Sequence, residues 1–229
     1  MNLRTRQGIL CPMNDARLLK KDLFGEVWLR QDSDNTVIMR DTRPSAWWTR
    51  ALARALLRRE ARALAVLEGI DGVPSLQHFD ANTLVRGYIA GKPMHIAKPE
   101  DAAFYRDAAR LLRKLHRFGV VHNDLAKEPN VLVSEDGGAA FIDFQLAWHA
   151  RNRGMLFRIA AREDIRHLLK HKRTYRPQDL TQRELAILAR PGPLSRAWMT
   201  VVKPVYLFIT RRVFGWSDRE GAGDRGQAS

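Results

Sequence analysis

The sequence predicts an α+β protein in which a small antiparallel β-sheet lobe precedes a mostly helical one. Three observations carry this reading. Residues 22–40, DLFGEVWLRQDSDNTVIMR, form two strand-like runs around a polar turn. Residues 46–68 follow with Ala, Leu and Arg at three- and four-residue apolar spacing. Beyond the Gly-Lys-Pro punctuation at 91–93, two further stretches of helical period are separated only by short strands. Residues 1–90 are accordingly assigned to the β-rich lobe, 91–216 to the helical one, and 217–229, Gly-rich and charged, to a disordered tail.

The elements are justified in order. Gly25 opens a strand at Glu26–Arg30, and the Asp-Ser-Asp-Asn turn returns the chain as Thr36–Arg40. The helix at 46–68 places Leu52, Leu56, Ala63, Leu64 and Leu67 along one stripe, and Glu60 falls on that stripe. A carboxylate there needs a cation or a donor, since burying it unpaired costs several kcal/mol or forces it neutral. Strands Leu76–Phe79 and Thr83–Ile89 come next, then a helix over 100–117 with Phe104, Ala108, Leu111, Leu112 and Leu115 inward, ended by Gly119. Strands Val131–Val133 and Ala140–Ile142 flank a Glu-Asp-Gly-Gly turn. A basic amphipathic helix at 157–173 has Ile165, Leu168 and Leu169 inside and Arg162, Arg166, Lys170 and Arg173 outside.

The chain has 229 residues, 45% of them hydrophobic, enough to build a core. Its single cysteine, Cys11, excludes an internal disulfide and fits a reducing cytoplasm. The start, MNLRTRQGIL, lacks the apolar run of a secretory signal, and no stretch has the apolar length of a membrane span. The formal charge is +14, and residues 146–216 hold 15 Lys plus Arg against 4 Asp plus Glu, so +11 of it lies there. Such a balance implies an anionic partner, be it nucleic acid, anionic lipid or a phosphorylated substrate.

The stretch VVHNDLAKEPNVLV, 120–133, sets His122, Asn123 and Asp124 in a loop between two apolar runs, and a loop pinned at both ends is where side chains are held for chemistry. Together with Asn130, with Asp143-Phe144 after a hairpin, and with the inward Glu60, this order resembles the protein-kinase-like superfamily. Within it the chain is most similar to the compact bacterial RIO-type kinases and the lipopolysaccharide-core (Kdo/heptose) sugar kinases, over roughly residues 20–175.

The resemblance implies a bilobal kinase-like fold and transfer of the γ-phosphate of ATP, with Mg²⁺, to a hydroxyl of a protein Ser/Thr or of a lipopolysaccharide precursor. Phosphoryl transfer is mostly positioning plus electrostatic stabilisation, which explains the residue types. By this resemblance Asp124 orients the acceptor hydroxyl and takes its proton. Asn130 and Asp143, 13 positions apart, hold Mg²⁺ through hard oxygen ligands. His122 ties the loop to the Asp143-Phe144 turn, and Glu60 pairs with a cation on the second strand of the hairpin. Four departures stand out. Arg40 replaces the strand lysine that contacts nucleotide phosphates, and Lys20 and Lys21 come too early to substitute. The glycine-rich loop is reduced to Gly25. Gln145 stands where a flexible glycine is usual, so the metal-binding turn is expected not to flip. Asp124 to Asn130 is one residue longer than usual, which leaves Lys127 either reaching the γ-phosphate or facing solvent.

Other features read more plainly. His167 and His171, one helical turn apart, lack a third ligand and read as a solvated helix face. Trp47 and Trp48 begin the long helix and read as an ordinary lobe contact. Residues 197–216, aromatic, apolar and basic, either lie in a membrane interface or pack on the helical lobe. Two rival functions follow. One is a pseudokinase scaffold at a membrane or ribosome, motivated by Arg40, the poor glycine loop and Gln145. The other is a basic nucleic-acid binder, which the charge permits but which no recognition motif or stacking platform supports.

Overall fold

The computed structural model describes residues 16–32 and 35–189. Strands β1 (Ala16–Asp22), β2 (Gly25–Asp32), β3 (Asn35–Asp41), β4 (Leu76–Phe79) and β5 (Thr83–Gly87) form one antiparallel sheet in the order β1-β2-β3-β5-β4. Helix α1 (Arg50–Val66) leaves the sheet after β3. Then come β6 (Gly91–Pro93), the single turn α2 (Met94–Ala97) and α3 (Ala102–Arg117). The paired two-residue strands β7 (Val120–Val121) and β10 (Trp148–His149) bracket β8 (Val131–Ser134) and β9 (Ala139–Phe141), which join β6 in a three-stranded sheet. Helices α4 (Met155–Tyr175) and α5 (Gln182–Ala189) complete the described chain. The result is an N-terminal five-stranded antiparallel sheet followed by helices and small sheets.

Helix α1 links the two halves. Leu57 and Ala61 pack on Leu84 of the sheet, whereas Ala63, Leu64 and Leu67 enter the larger core built by α3, β7–β9 and Phe144. Leu57, Leu64 and Leu84 are essentially inaccessible to water, and burial of each side chain contributes about 1.5–3 kcal/mol. Glu60 lies between these two contact faces. Helix α3 begins at Asp101, whose carboxylate accepts from Ala103 N–H at 2.7 Å, and buries Phe104, Ala108, Leu111, Leu112 and Leu115, as its spacing predicts.

The turn between β1 and β2 is fastened down. The Leu23 carbonyl accepts from Ala46 N–H at 3.2 Å and from the Thr49 hydroxyl. Gly25, at φ +127°, lies so close to β3 that a Cβ would sit 2.1 Å from the Asp41 carbonyl oxygen. Only glycine fits that approach.

Several expectations need correction. β1 was not anticipated, because its burial is nearly all exposed and carries no alternation. Helix α1 starts at Arg50 rather than 46, so the two tryptophans precede it, and Trp47 is 84% exposed instead of making a packed contact. Its buried stripe runs through Ala53, Leu57, Glu60, Ala61 and Leu64, leaving Leu52 exposed. In α4, Arg166 is buried and bonded to Glu163 at 3.1 Å rather than facing out. His171 is also buried, its Nε2 2.7 Å from the Leu125 carbonyl, so the histidine pair is not a solvated face. Cys11 and the segments 197–216 and 217–229 lie outside the described residues.

Candidate active site

Asp124 stands at the end of the loop that leaves β7. The Asn130 amide donates through Nδ2 to the Asp124 carbonyl and to its carboxylate Oδ2, each at 2.9 Å. The Lys127 ammonium lies 2.9 Å from the same carboxylate. The extra residue between Asp124 and Asn130 is absorbed by two consecutive turns, Lys127 N–H to Asp124 O and Asn130 N–H to Lys127 O. Lys127 therefore lies against Asp124 while its side chain stays 62% exposed, so it faces solvent as one of the two alternatives from the sequence has it and pairs with Asp124 as well.

His122 is fully buried and acts as a strut. Its Nδ1 accepts from Asp124 N–H at 3.3 Å and its Nε2 lies 3.0 Å from the Ile142 carbonyl. Those partners require a neutral ring with the proton on Nε2, and burial holds its pKa below the ordinary 6.5 in agreement. The strut joins the Asp124 loop to the residue before Asp143. A second link runs in parallel, from Ile142 N–H to the Asn130 carbonyl at 3.0 Å.

Asp143 occupies the left-handed region, φ 63° and ψ 68°, as does Asn123 at φ 62°. A non-glycine residue held there costs of order 1–3 kcal/mol and persists only when its surroundings fix it. Here Phe144 is buried at the turn, Arg59 of α1 donates to the Leu146 carbonyl at 3.0 Å and the Ala147 carbonyl at 3.2 Å, and Asn123 Nδ2 donates to the same Leu146 carbonyl at 3.0 Å. The turn after Asp143 is thus gripped from α1 and from the Asp124 loop.

Arg40, on the central strand β3, reaches both acids: Nε is 3.6 Å from Glu60 Oε2, and Nη2 is 3.6 Å from Asp143 Oδ1. Glu60 is 0% exposed and has a second cation, Arg86 of β5, at 3.3 Å. Burial lowers the Arg86 guanidinium below its ordinary value, with Glu60 opposing that shift. The four charges compensate, yet their distances are those of ion pairs rather than tight hydrogen bonds. Arg40 Nε, both Glu60 oxygens and Asp143 Oδ1 are buried without a hydrogen-bond partner. Each of these atoms lies in an ion pair, so the cluster is balanced in charge but loosely bonded.

Seven of the eight residues expected from the sequence therefore form one connected set: His122, Asp124, Lys127, Asn130, Asp143, Arg40 and Glu60. Gly25 has no bond to this set. Its tight approach to Asp41, the neighbour of Arg40, accounts for a glycine there on steric grounds.

Sequence reasoning missed Arg86, Arg59 and above all Asp164. This α4 carboxylate is 0% exposed and accepts from His122 N–H at 2.8 Å through Oδ2 and from Asn123 N–H at 2.9 Å through Oδ1, with His116 Nε2 at 3.3 Å. It fixes the loop backbone immediately before Asp124.

The donor set suits a magnesium nucleotide. With Asn130 Nδ2 committed to Asp124, its Oδ1 is the amide atom left to act as a ligand, and Asp143 Oδ1 lacks a hydrogen bond. Among the described residues no group of three or more His, Cys, Asp or Glu could hold a metal by itself. Two oxygen ligands plus phosphates is the usual way to hold Mg²⁺, which seldom takes an all-protein cage.

No protein-family model matches the chain. A stretch of 158 residues is 30% identical to a protein described as a probable SapB synthase from Streptomyces coelicolor, covering 57% of this chain and 17% of that protein. The chain thus spans less than a fifth of the relative's length. Among the described residues, no helix is long and apolar enough to cross a membrane.

Proposed function

We propose that the chain is an ATP-dependent phosphotransferase, of protein-kinase-like type, acting on a hydroxyl acceptor. The observation that carries this reading is the unbroken line of contacts from Asp124 through Asn130 and Ile142 to Asp143, Arg40 and Glu60. In the proposed reaction Asp124, steered by Asn130 and Lys127, holds the acceptor hydroxyl and accepts its proton. The acceptor oxygen bonds to the γ-phosphorus as the bond to the β,γ-bridging oxygen breaks, and ADP leaves with that electron pair. Arg40 turns from Asp143 toward the phosphate oxygens, which its forked donors suit. Asn130 and Asp143 would hold Mg²⁺, which would supply neutralisation of the triphosphate charge. Arg86 keeps Glu60 compensated while Arg40 does this.

The likeness to a protein named as a synthase supports an enzyme rather than a scaffold. The acceptor is a protein Ser/Thr or a lipopolysaccharide-type sugar hydroxyl, following the RIO-type and sugar-kinase resemblances. One observation favours the pseudokinase scaffold: Arg40 already lies against Asp143, the side chain meant for the metal.

Thermal melting with ATP, in the presence and absence of Mg²⁺, separates the two. The enzyme reading expects stabilisation that requires the metal, about 2.7 kcal/mol at 100-fold saturation. It also expects ATP turnover to vanish in Asp124→Asn and Asp143→Asn. Metal-independent stabilisation together with absent turnover in the unaltered protein establishes the scaffold.

A further inference from the structure

We propose that the face where the end of α3 meets the start of α4 is a docking site for the phosphate headgroups of an anionic membrane surface. Gly119 turns the chain here at φ +73°, and its carbonyl accepts from Ala150 N–H at 2.8 Å, which brings the two helix ends together. Arg113 and Arg117 from α3, with Arg153 and Arg158 from the entry to α4, line a pocket of about 570 Å³. His116 and Phe157 form its floor, their rings edge to face with centroids 6.2 Å apart.

The charge there is unbalanced. All four guanidiniums are exposed, and none has a carboxylate partner among the described residues, unlike Arg40, Arg43, Arg86, Arg110, Arg166 and Arg176. The acid nearest in bonding terms, Asp164, contacts His116 but is buried and occupied by the backbone at 122 and 123. Four forked cations around one concavity fit phosphate oxygens.

What selects a lipid surface is the neighbouring apolar side chains. Phe118 follows Arg117 and is 53% exposed, while Met155 and Leu156, between Arg153 and Arg158, are 78% and 68% exposed. A phosphopeptide or a nucleic-acid backbone would satisfy the arginines and leave these three in water. A bilayer interface accepts both, phosphates at the guanidiniums and the apolar tips at the acyl boundary. The site does not depend on the phosphotransfer reading.

The test uses the full chain in co-sedimentation with phosphatidylglycerol/phosphatidylcholine vesicles and with phosphatidylcholine vesicles alone. Binding to the anionic vesicles only, weakened by salt, is expected. R113S/R117S/R153S should lose roughly fivefold in affinity per arginine, about a hundredfold in all. M155S/L156S should weaken vesicle binding while keeping its salt dependence. Both variants change exposed side chains, so unchanged melting temperatures verify that they fold. Anionic-vesicle binding untouched by either variant, equal binding to phosphatidylcholine, or tighter salt-sensitive binding to RNA than to vesicles overturns the proposal. So does displacement by inorganic phosphate with no effect of M155S/L156S, which marks a free-anion pocket.

Discussion

Replacing Asp164 by Asn removes a charge and one acceptor from beneath the Asp124 loop while conserving volume. In the native protein both oxygens are used, at 2.8 Å by His122 N–H and 2.9 Å by Asn123 N–H, with the side chain out of contact with water. Asparagine keeps one oxygen, so one backbone N–H retains a bond, now neutral and weaker. The other N–H confronts an amide NH₂ and is left unsatisfied in the interior, a cost of about 1–3 kcal/mol, to which loss of the charge-assisted component of the surviving bond adds about 1 kcal/mol. The expected loss is about 3 kcal/mol. At roughly 2–4 °C per kcal/mol for a chain of this size, the melting temperature should fall by about 6–12 °C. Differential scanning calorimetry measures this directly, and ATP turnover measured below the transition should fall as well, because the loop is no longer fixed. A melting temperature within about 2 °C of the native value, with turnover unchanged, refutes the claim that Asp164 anchors the loop.

Two further outcomes follow from the same geometry. Glu60→Gln strands Arg86 and part of Arg40 as buried cations, so it should cost about 3–5 kcal/mol in urea unfolding, and Glu60→Leu combined with Arg86→Leu should recover most of that loss. For His122 the folded-state pKa lies below the ordinary 6.5, so the unfolded chain binds the proton more readily. Its contribution to stability is therefore complete above pH 6.5 and lost as pH falls through the depressed folded value. The half-buried His167, also lowered by burial, acts in the same direction. Urea midpoints measured from pH 8 downward should decline below about 6.5, and His122→Gln should flatten that decline; a midpoint rising on acidification contradicts the assignment.

Much of the candidate site was legible because its residues break a pattern. Glu60 sits on an apolar stripe, and a carboxylate there demands a cation. The same argument applies to Asp164, which shares a helix face with Phe157, Ala160, Leu168 and His171, yet the density of arginines on α4 concealed it. Arg86 was also readable in principle. It shares parity on β5 with Leu84, and both are buried, so an inward arginine and an inward glutamate could have been matched. β1 was not legible, since an exposed edge strand with a register shift between Leu18 and Lys20 leaves no alternation to detect. The strands β6 and β7 are too short for any period to emerge, and only their partners define them.

The tether at Leu23 has a mechanical consequence. Its carbonyl is bound to Ala46 and Thr49, the residues that launch α1, so the first hairpin turn and that helix form one lever. Glu60 lies 11 residues along from Thr49, about 16 Å at the helical rise. Any displacement of the turn would carry the far end of the lever with it, shifting Glu60 between Arg40 and Arg86. The seating of the first turn and the alignment of the innermost acid would then be a single movement.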